Sequence, residues 1–546
     1  MKLFLAAISM LFVLFTSSVQ AQTEKSDFFN TDSIQQISIE FNNSQWRESL
    51  DSLYTNGEEY TLAKVKINGQ AFPFSGVRLS RILPNSTRSK KNSFDIKLNF
   101  INQAQNYEGS KNIILSQSLR DPSLVRDLLF SKMANDFMLA PRANYVSLDI
   151  DGSFYGVMIN IEAIDEVFVK RKFYENEGTF LACSVDEVNA ERIQSDDCLK
   201  KSFASLQLEK SPTCYFDDYQ LLSPGGWDDL MRLSEVLEDK ESTVKDLEEI
   251  LDLDQALWYL ALNNLTVSLD SYLGRESKNF YLYQDRNGKF HIIPWAANLS
   301  FGSLKSATPK SDLSIDEMIE LDPLLHADNT TKPLVNALMK HKDLRQRYLA
   351  FYRALFDRYL SSKWYESEIE ELQNRIRPIR INESANYYEM EDFESSTRKI
   401  IGKVSKIPPI TEFLEKRRKH LKKEEFIKIL PPEVTDIRFE KREAFSDEKI
   451  EDYTLYVSTD NYTKRVHLFY LFDGAIDMKF KQYALMDDGK GADEEAGDGI
   501  FSGSIPAGNS ESMKFYIRAE NVQLEKYFPQ DYVFNKEQIS LEQLNQ

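Results

Sequence analysis

Asn263-Asn264-Leu265-Thr266-Val267-Ser268-Leu269-Asp270-Ser271-Tyr272 opens the stretch that decides the fold. It continues through Asn279-Phe280-Tyr281-Leu282-Tyr283 to Lys289-Phe290-His291-Ile292-Ile293-Pro294-Trp295, and ends on Ala296-Ala297-Asn298-Leu299-Ser300-Phe301-Gly302. Residues 254–265 carry apolar side chains at helical spacing, so Asp270 falls just past the end of an apolar helix. Residues 280–283 and 290–293 are short runs of β-formers on either side of Arg286-Asn287-Gly288, which predicts a hairpin.

Upstream, residues 34–160 read mainly as strands, at 37–41, 60–67, 76–79 and 94–100. Asn68-Gly69 and Asp151-Gly152 are hairpin turns, the second joining 146–150 to 154–161. Asp121-Pro122-Ser123 predicts the start of a helix carrying Leu124, Val125, Leu128, Leu129 and Met133 on one face. Downstream, helical spacing recurs at 227–237, 244–251, 333–340, 344–360, 364–376 and 410–423. Pro431-Pro432 marks a boundary, and the residues beyond it are short strands between Gly, Asp and Asn turns, the pattern of a small β-sandwich. The fold class expected is α+β.

Three motifs, in order, resemble the CotH (spore-coat protein H) kinase family. Asp270-Ser271-Tyr272 followed by Asn279-Phe280-Tyr281-Leu282-Tyr283 is similar to its N-x-D-x-Y…N-Y-Y-L-Y segment. The stretch from Lys289 to Gly302 is similar to K-F-x-x-I-P-W-D-[LM]-[DN]-x-x-F-G. Phe154-Tyr155-Gly156-Val157, Glu162-Ala163-Ile164-Asp165 and Lys170-Arg171-Lys172-Phe173 are similar to Y-Y-G-x-Y…x-E-x-V-D…K-R-x-F. The resemblance covers roughly residues 34 to 425. It implies an atypical protein-kinase-like two-lobe domain at 34–428, followed by an immunoglobulin-like sandwich at 432–546.

The resemblance further implies phosphoryl transfer from ATP, with magnesium or manganese, to protein Ser/Thr hydroxyls. That chemistry needs a carboxylate to orient the attacking hydroxyl, oxygen ligands for the metal and a lysine on the nucleotide phosphates. Asp270 matches the family's catalytic aspartate and Asn279 its metal-assisting asparagine. Lys97, in Phe94-Asp95-Ile96-Lys97-Leu98, matches a phosphate-gripping lysine, with Asp127 or Glu162 as its carboxylate partner. Two departures stand against transfer. Ala296 occupies the position of the family's aspartate after Pro-Trp, leaving Asn298 as a neutral oxygen ligand where magnesium prefers charged oxygens. The family's R-x-x-G-N-S loop becomes Arg78-Leu79-Ser80-Arg81-Ile82-Leu83-Pro84-Asn85-Ser86, without its glycine, so only the side chains of Arg81, Lys90 and Lys91 remain to attract phosphate. The departures favour a pseudokinase or scaffold that holds a cell-surface or envelope protein; the alternative is an active atypical kinase.

Composition narrows the rest. A formal charge of -19, from 86 acidic and 67 basic residues, argues against nucleic-acid binding. Residues 416–423 are a basic run that reads as the solvated face of a helix among glutamates. Lys2, the apolar run at 3–15 and Val19-Gln20-Ala21 read as a signal peptide over 1–21, with a linker at 22–33 and a mature chain starting at Gln22. The run is shorter than the ~20 apolar residues of a membrane span. The protein is thus expected to be exported, whether periplasmic, cell-surface or secreted. Cys183, Cys198 and Cys214 allow one disulfide with one cysteine left over, and the sequence does not choose the pair. No H-E-x-x-H, P-loop or G-x-S-x-G motif is present. Asp487, Asp488, Asp493 and Asp498 lie in a Gly/Asp loop that either ligates calcium or reinforces turns.

Overall fold

The computed structural model describes residues 27–57, 60–80, 82–83, 91–183, 198–199, 204–307, 312–383, 387–403, 405–442, 451–460, 462–473, 480–508, 512–532 and 536–540. The signal-peptide reading, Gln22, Arg81, Pro84-Asn85-Ser86 and Lys90 lie outside these residues.

The N-terminal part runs β1 (Gln35–Phe41), α1 (Trp46–Asn56), β2 (Thr61–Ile67), β3 (Gln70–Leu79), β4 (Phe94–Lys97), β5 (Asn112–Ser116), α2 (Arg126–Asn135), β6 (Ala143–Ile150) and β7 (Ser153–Glu162). Its seven strands close into a barrel in the order β1-β2-β3-β4-β5-β7-β6. Closure comes from a parallel pairing of β1 with β6, Gln35 opposite Val146 through Ile39 opposite Ile150. Alternation does the rest: Ile37, Ile39, Val65, Ile67, Phe94 and Ile96 point inward into one core. The outer face is apolar where it meets the helical part, since Ile114 and Ile161 belong to the larger core beneath.

The middle part begins with α3 (Glu166–Phe173), β8 (Phe180–Cys183), β9 (Gln220–Leu221), α4 (Trp227–Glu238), α5 (Val244–Ile250) and α6 (Leu253–Leu265). It continues through β10 (Phe280–Gln284), β11 (Phe290–Pro294), α7 (Ile315–Ile319), α8 (Pro333–Lys340), α9 (Lys342–Leu355), α10 (Trp364–Arg380), α11 (Met390–Ser395), α12 (Ile410–Leu421) and α13 (Glu425–Lys428). β10 and β11 form the expected hairpin and extend through β8 to β9. Every residue of α6 from Gln255 to Leu265 is buried, so this helix is the axle around which the others pack.

The C-terminal part contributes β12 (Val434–Arg442), β13 (Glu451–Thr459), β14 (Arg465–Phe472), β15 (Lys481–Leu485), β16 (Ile500–Gly508), β17 (Ser512–Glu520), β18 (Glu525–Phe528) and β19 (Glu537–Ser540). One sheet orders β12-β13-β16 and the other β15-β14-β17-β18, with β19 also paired to β17. Leu455 and Val457 of the first sheet share a core with Leu468 and Ile517 of the second. Tyr527 and Tyr532 leave that core and join the helical one. Mixed helices and strands are therefore as expected; the closed barrel is not.

Several local readings are corrected. The helix expected from residue 121 starts at Arg126, because Leu124 holds a left-handed backbone (φ 58°) and the Asp121 carboxylate takes the Arg126 backbone N–H at 2.9 Å. The strand expected at 94–100 stops at Lys97. In the basic run, Lys416, Arg418, Lys419 and His420 pair with glutamates one turn away, but Arg417 is fully buried. Its guanidinium donates to the carbonyls of Ile319 and Leu321 and to the Tyr352 hydroxyl, so it serves as a core staple. Cys198 and Cys214 form the disulfide, and Cys183 is the buried free thiol. Among the described residues, no helix is long and apolar enough to cross a membrane.

Candidate functional site

Three loops meet beside the barrel: residues 117–125 before α2, 266–279 between α6 and β10, and 296–302 after β11. Hydrogen bonds lace them together. Phe301 and Gly302 donate their N–H groups to the carbonyls of Thr266 (2.7 Å) and Val267 (3.2 Å). Asn298 Nδ2 donates to the Leu119 carbonyl at 2.9 Å, and Ser303 Oγ to the Arg120 carbonyl at 2.9 Å. Arg126, fully buried, pairs with Asp121 at 2.6 Å while donating to the carbonyls of Ser300 (3.2 Å) and Pro408 (3.0 Å). Eight non-glycine residues on these loops hold φ between 47° and 65°: Ser118, Arg120, Leu124, Val267, Ser277, Asn279, Ala296 and Phe301. Each costs roughly 1–3 kcal/mol, and a β-branched residue such as Val267 is an outlier there. Such strain persists only where the surroundings enforce it, and it concentrates at functional sites.

Asp270 and Asn279 come together across the 266–279 loop. Asn279 Nδ2 donates to the Asp270 backbone carbonyl at 3.0 Å, and both residues are buried. Lys278 Nζ lies 3.6 Å from Asp270 Oδ1 and 2.8 Å from Glu276. The loop is held from below by Lys332, whose buried ammonium donates to the Tyr272 carbonyl at 2.9 Å and to the Ser277 hydroxyl. Burial lowers that lysine from 10.5 to about 7. The Asn279 carbonyl accepts from the Trp295 N–H at 3.1 Å, so the Asp270 loop runs directly into the segment carrying Ala296.

Ala296 and Trp295 line a small cavity with Asp127, Ser131 and Ile161, about 20 Å³ in volume, room for about one water molecule. The Asp127 carboxyl accepts from Ser118 Oγ at 3.3 Å and from the backbone N–H of Ala297. Burial, reinforced by the nearby charge of Asp121, raises it from 3.8 to about 7 against those hydrogen bonds and Arg126. Asp127 thus stands beside the segment where the carboxylate expected at position 296 is missing.

The lysine partner expected from sequence is not made. Glu162 is engaged by Arg142, at 2.9 and 3.2 Å, and by Arg171. Burial would raise that carboxyl, but these cations outweigh it and hold it below its usual range. Lys97 is half-buried on β4, opposite Gly76 and Asn112, and forms no ion pair among the described residues. The same outer barrel face carries Asp95, paired with Arg78 at 3.1 Å. Across from it lies the buried Tyr281 phenol, whose ionisation is opposed by burial and by the charges of Asp95 and Asp165. Lys91, read from sequence as a phosphate-facing charge, is instead buried, donating to the Val157 carbonyl at 2.6 Å and to Glu383.

In the C-terminal part, Asp487, Asp493 and Asp498 bring carboxylate oxygens within 4.8 Å of one another, and Asp488 stands outside the group. Each also organises a turn. Asp487 accepts from Gly497 (2.6 Å) and Gly499 (3.3 Å), Asp493 from Gly489, and Asp498 from Ile500 (2.8 Å).

Sequence reasoning missed Lys278, Lys332 and the Asp121–Arg126 pair. The spacing Asp121…Arg126 was the one available signal, and it resembles a solvated helix start. Two comparisons with known proteins bear on this site. The chain is 23% identical over 338 residues to the inner spore coat protein H of Bacillus subtilis (strain 168), covering 61% of this chain and 83% of that protein. Residues 67–421, which contain all three loops, match the family described as CotH kinase protein, and the chain belongs to that family.

Proposed function

We propose that this chain keeps the family's phosphoryl-transfer framework as a binding site for a nucleotide and an envelope partner, with little or no transfer. The observation that carries this reading is Ala296, whose methyl lines a cavity beside the buried Asp127, a carboxyl raised to about 7. A magnesium–phosphate cluster needs charged oxygens, and neither residue offers one dependably below pH 7. Lys97, without a carboxylate partner among the described residues, is consistent with the same loss. The spore-coat name of the Bacillus relative is in keeping with a scaffold in an outer layer, and the signal-peptide reading of residues 1–21 is the ground for export. The second reading, an active atypical kinase, draws on the adjacency of Asp270 and Asn279, with Lys278 beside them.

A thermal-shift titration with ATP, with and without magnesium or manganese, separates the two, since a ligand bound only to the folded chain raises its Tm. The wild type is expected to show a small shift that does not depend on the metal. Ala296→Asp is expected to lower Tm without metal, because it sets a second carboxylate beside Asp127, and to gain a metal-dependent ATP shift. Aspartate tolerates the left-handed backbone that Ala296 holds (φ 51°), so the substitution adds no strain of its own. Autophosphorylation by the wild type with magnesium-ATP would overturn the proposal.

A further inference from the structure

We propose that the open pocket along α3 binds ligands carrying phosphate, at a place separate from Asp270 and independent of the reading above. The pocket measures about 500 Å³ and is lined by Lys111, Glu166, Val167, Lys170, Arg171 and Asn176. That volume suits a ligand larger than a lone ion, such as a diphosphate or a phosphate ester.

Three cations face one carboxylate there, on a chain whose formal charge is -19. The balance is more positive than it looks. Arg171 reaches Glu162, but that carboxylate already has both oxygens on Arg142, so Arg171 adds a second cation to a satisfied partner. Lys111 meets Glu166 at 3.3 Å across exposed surface, a pairing that water screens heavily. Lys170 forms no ion pair among the described residues. The neighbouring Lys172 senses the same field: burial lowers it, and the charges of Arg171 and Arg142 push in the same direction against Glu162.

The chemistry favours phosphate over a single carboxylate. The planar guanidinium of Arg171 presents a fork that matches phosphate oxygens, and the two lysines add mobile point charges. Asn176 supplies an amide donor at the rim. Phe173, the last residue of the same helix, packs on Tyr283 (4.6 Å) and His291 (4.7 Å), which fixes the helix against the β10–β11 hairpin. The cations are therefore presented by an anchored element. The pocket begins one residue from Asn112, the strand neighbour of Lys97.

The test is isothermal titration of the full mature chain with inorganic pyrophosphate at low ionic strength. Lys170→Glu and Lys111→Glu, both on the surface, are expected to weaken binding at least tenfold, ~1.4 kcal/mol, with Tm unchanged. Lys97→Ala, which removes the phosphate grip of the site proposed above, is expected to leave pyrophosphate binding intact, which separates the two sites. Competition by ADP would identify a small-molecule source of the phosphate, and competition by a phosphoserine peptide a protein source. Undetectable binding, equal binding by Lys170→Glu, loss on Lys97→Ala, or competition by neither ligand would each overturn the proposal.

Discussion

Asp127 shows what a single buried carboxyl can do to the whole chain's pH response. Its pKa is raised from 3.8 to about 7 by burial and the charge of Asp121, so between those values the folded state holds a proton that the unfolded state has released. The resulting stability is fully present below 3.8 and is lost as pH rises through about 7. Asp127→Asn keeps an acceptor for the Ala297 N–H and removes the titration. The variant is expected to match the wild type near pH 4 and to melt higher than it at pH 8, measured by calorimetry across that range. Other titrating groups, including Lys332, are common to both proteins and cancel in the difference. At this scale the sequence was half legible. That Asp270 and Asn279 lie side by side was readable, because they fall on one loop between a helix and a hairpin with strong local signals. The setting of Asp127 was not, because it depends on residues 296–297, which the sequence alone cannot bring against α2.

The hairpin β10–β11 was the most legible element, and its anchoring was the least. His291 sits midway along β11, with Asp252 at 3.1 Å and Asp285 at 3.2 Å. Asp252 caps α6, accepting from Gln255 at 3.0 Å, so one imidazole ties the hairpin to the start of the central helix. Burial disfavours its charged form, but the hydrogen bonds and charges of the two aspartates outweigh that and raise it from 6.5 to about 9. Stability from this group is fully present below 6.5 and is lost as pH rises through about 9. Asp285 is pushed down to about 2: burial works against this, but the hydrogen bond to His291 and backbone donors prevail, so the anchor also survives mild acid. His291→Gln is expected to lower Tm by several degrees at pH 7 and to remove the wild type's decline between about pH 6.5 and 9. An unchanged alkaline limb in the variant would assign that decline elsewhere. In sequence this histidine is one apolar-flanked position in a strand, with nothing to mark its two partners. The start of α2 was missed for a related reason: Asp121-Pro122-Ser123 has the composition of a helix cap. Asp121 instead spends its oxygens on Arg126 and Ser123 (backbone N–H at 3.1 Å), holding a loop.

Across the whole molecule, local order was readable and long-range closure was not. The strands of the N-terminal part follow from alternation and turn residues, but the parallel pairing of β1 with β6 joins segments far apart in sequence and leaves no local trace. The same holds for the C-terminal part, whose boundary at Pro431-Pro432 suggested an independent unit. A column of aromatic rings crosses that boundary instead. Tyr516 stacks on Tyr532 (4.3 Å) and Tyr532 on Tyr527 (4.6 Å). Tyr527 then meets Phe351 (5.5 Å), Phe351 stacks on Trp258 (4.0 Å), and Trp258 on Phe137 (4.4 Å), in the heart of the helical part. Arg347 joins the contact by pairing with Asp254 at 3.0 Å, and the Tyr532 hydroxyl donates to the same carboxylate. Truncating a buried aromatic side chain costs roughly 3–5 kcal/mol, because transfer and cavity contributions add. Tyr527→Ala is therefore expected to destabilise the helical part, although the substituted residue lies in the C-terminal sheets. A chain ending at residue 431 should melt well below the full-length protein, since Phe351 loses its partner ring. The full chain should unfold in one calorimetric transition. Two separate transitions, with the 431-residue chain reproducing one of them at an unchanged temperature, would show that the aromatic column carries no coupling between the parts.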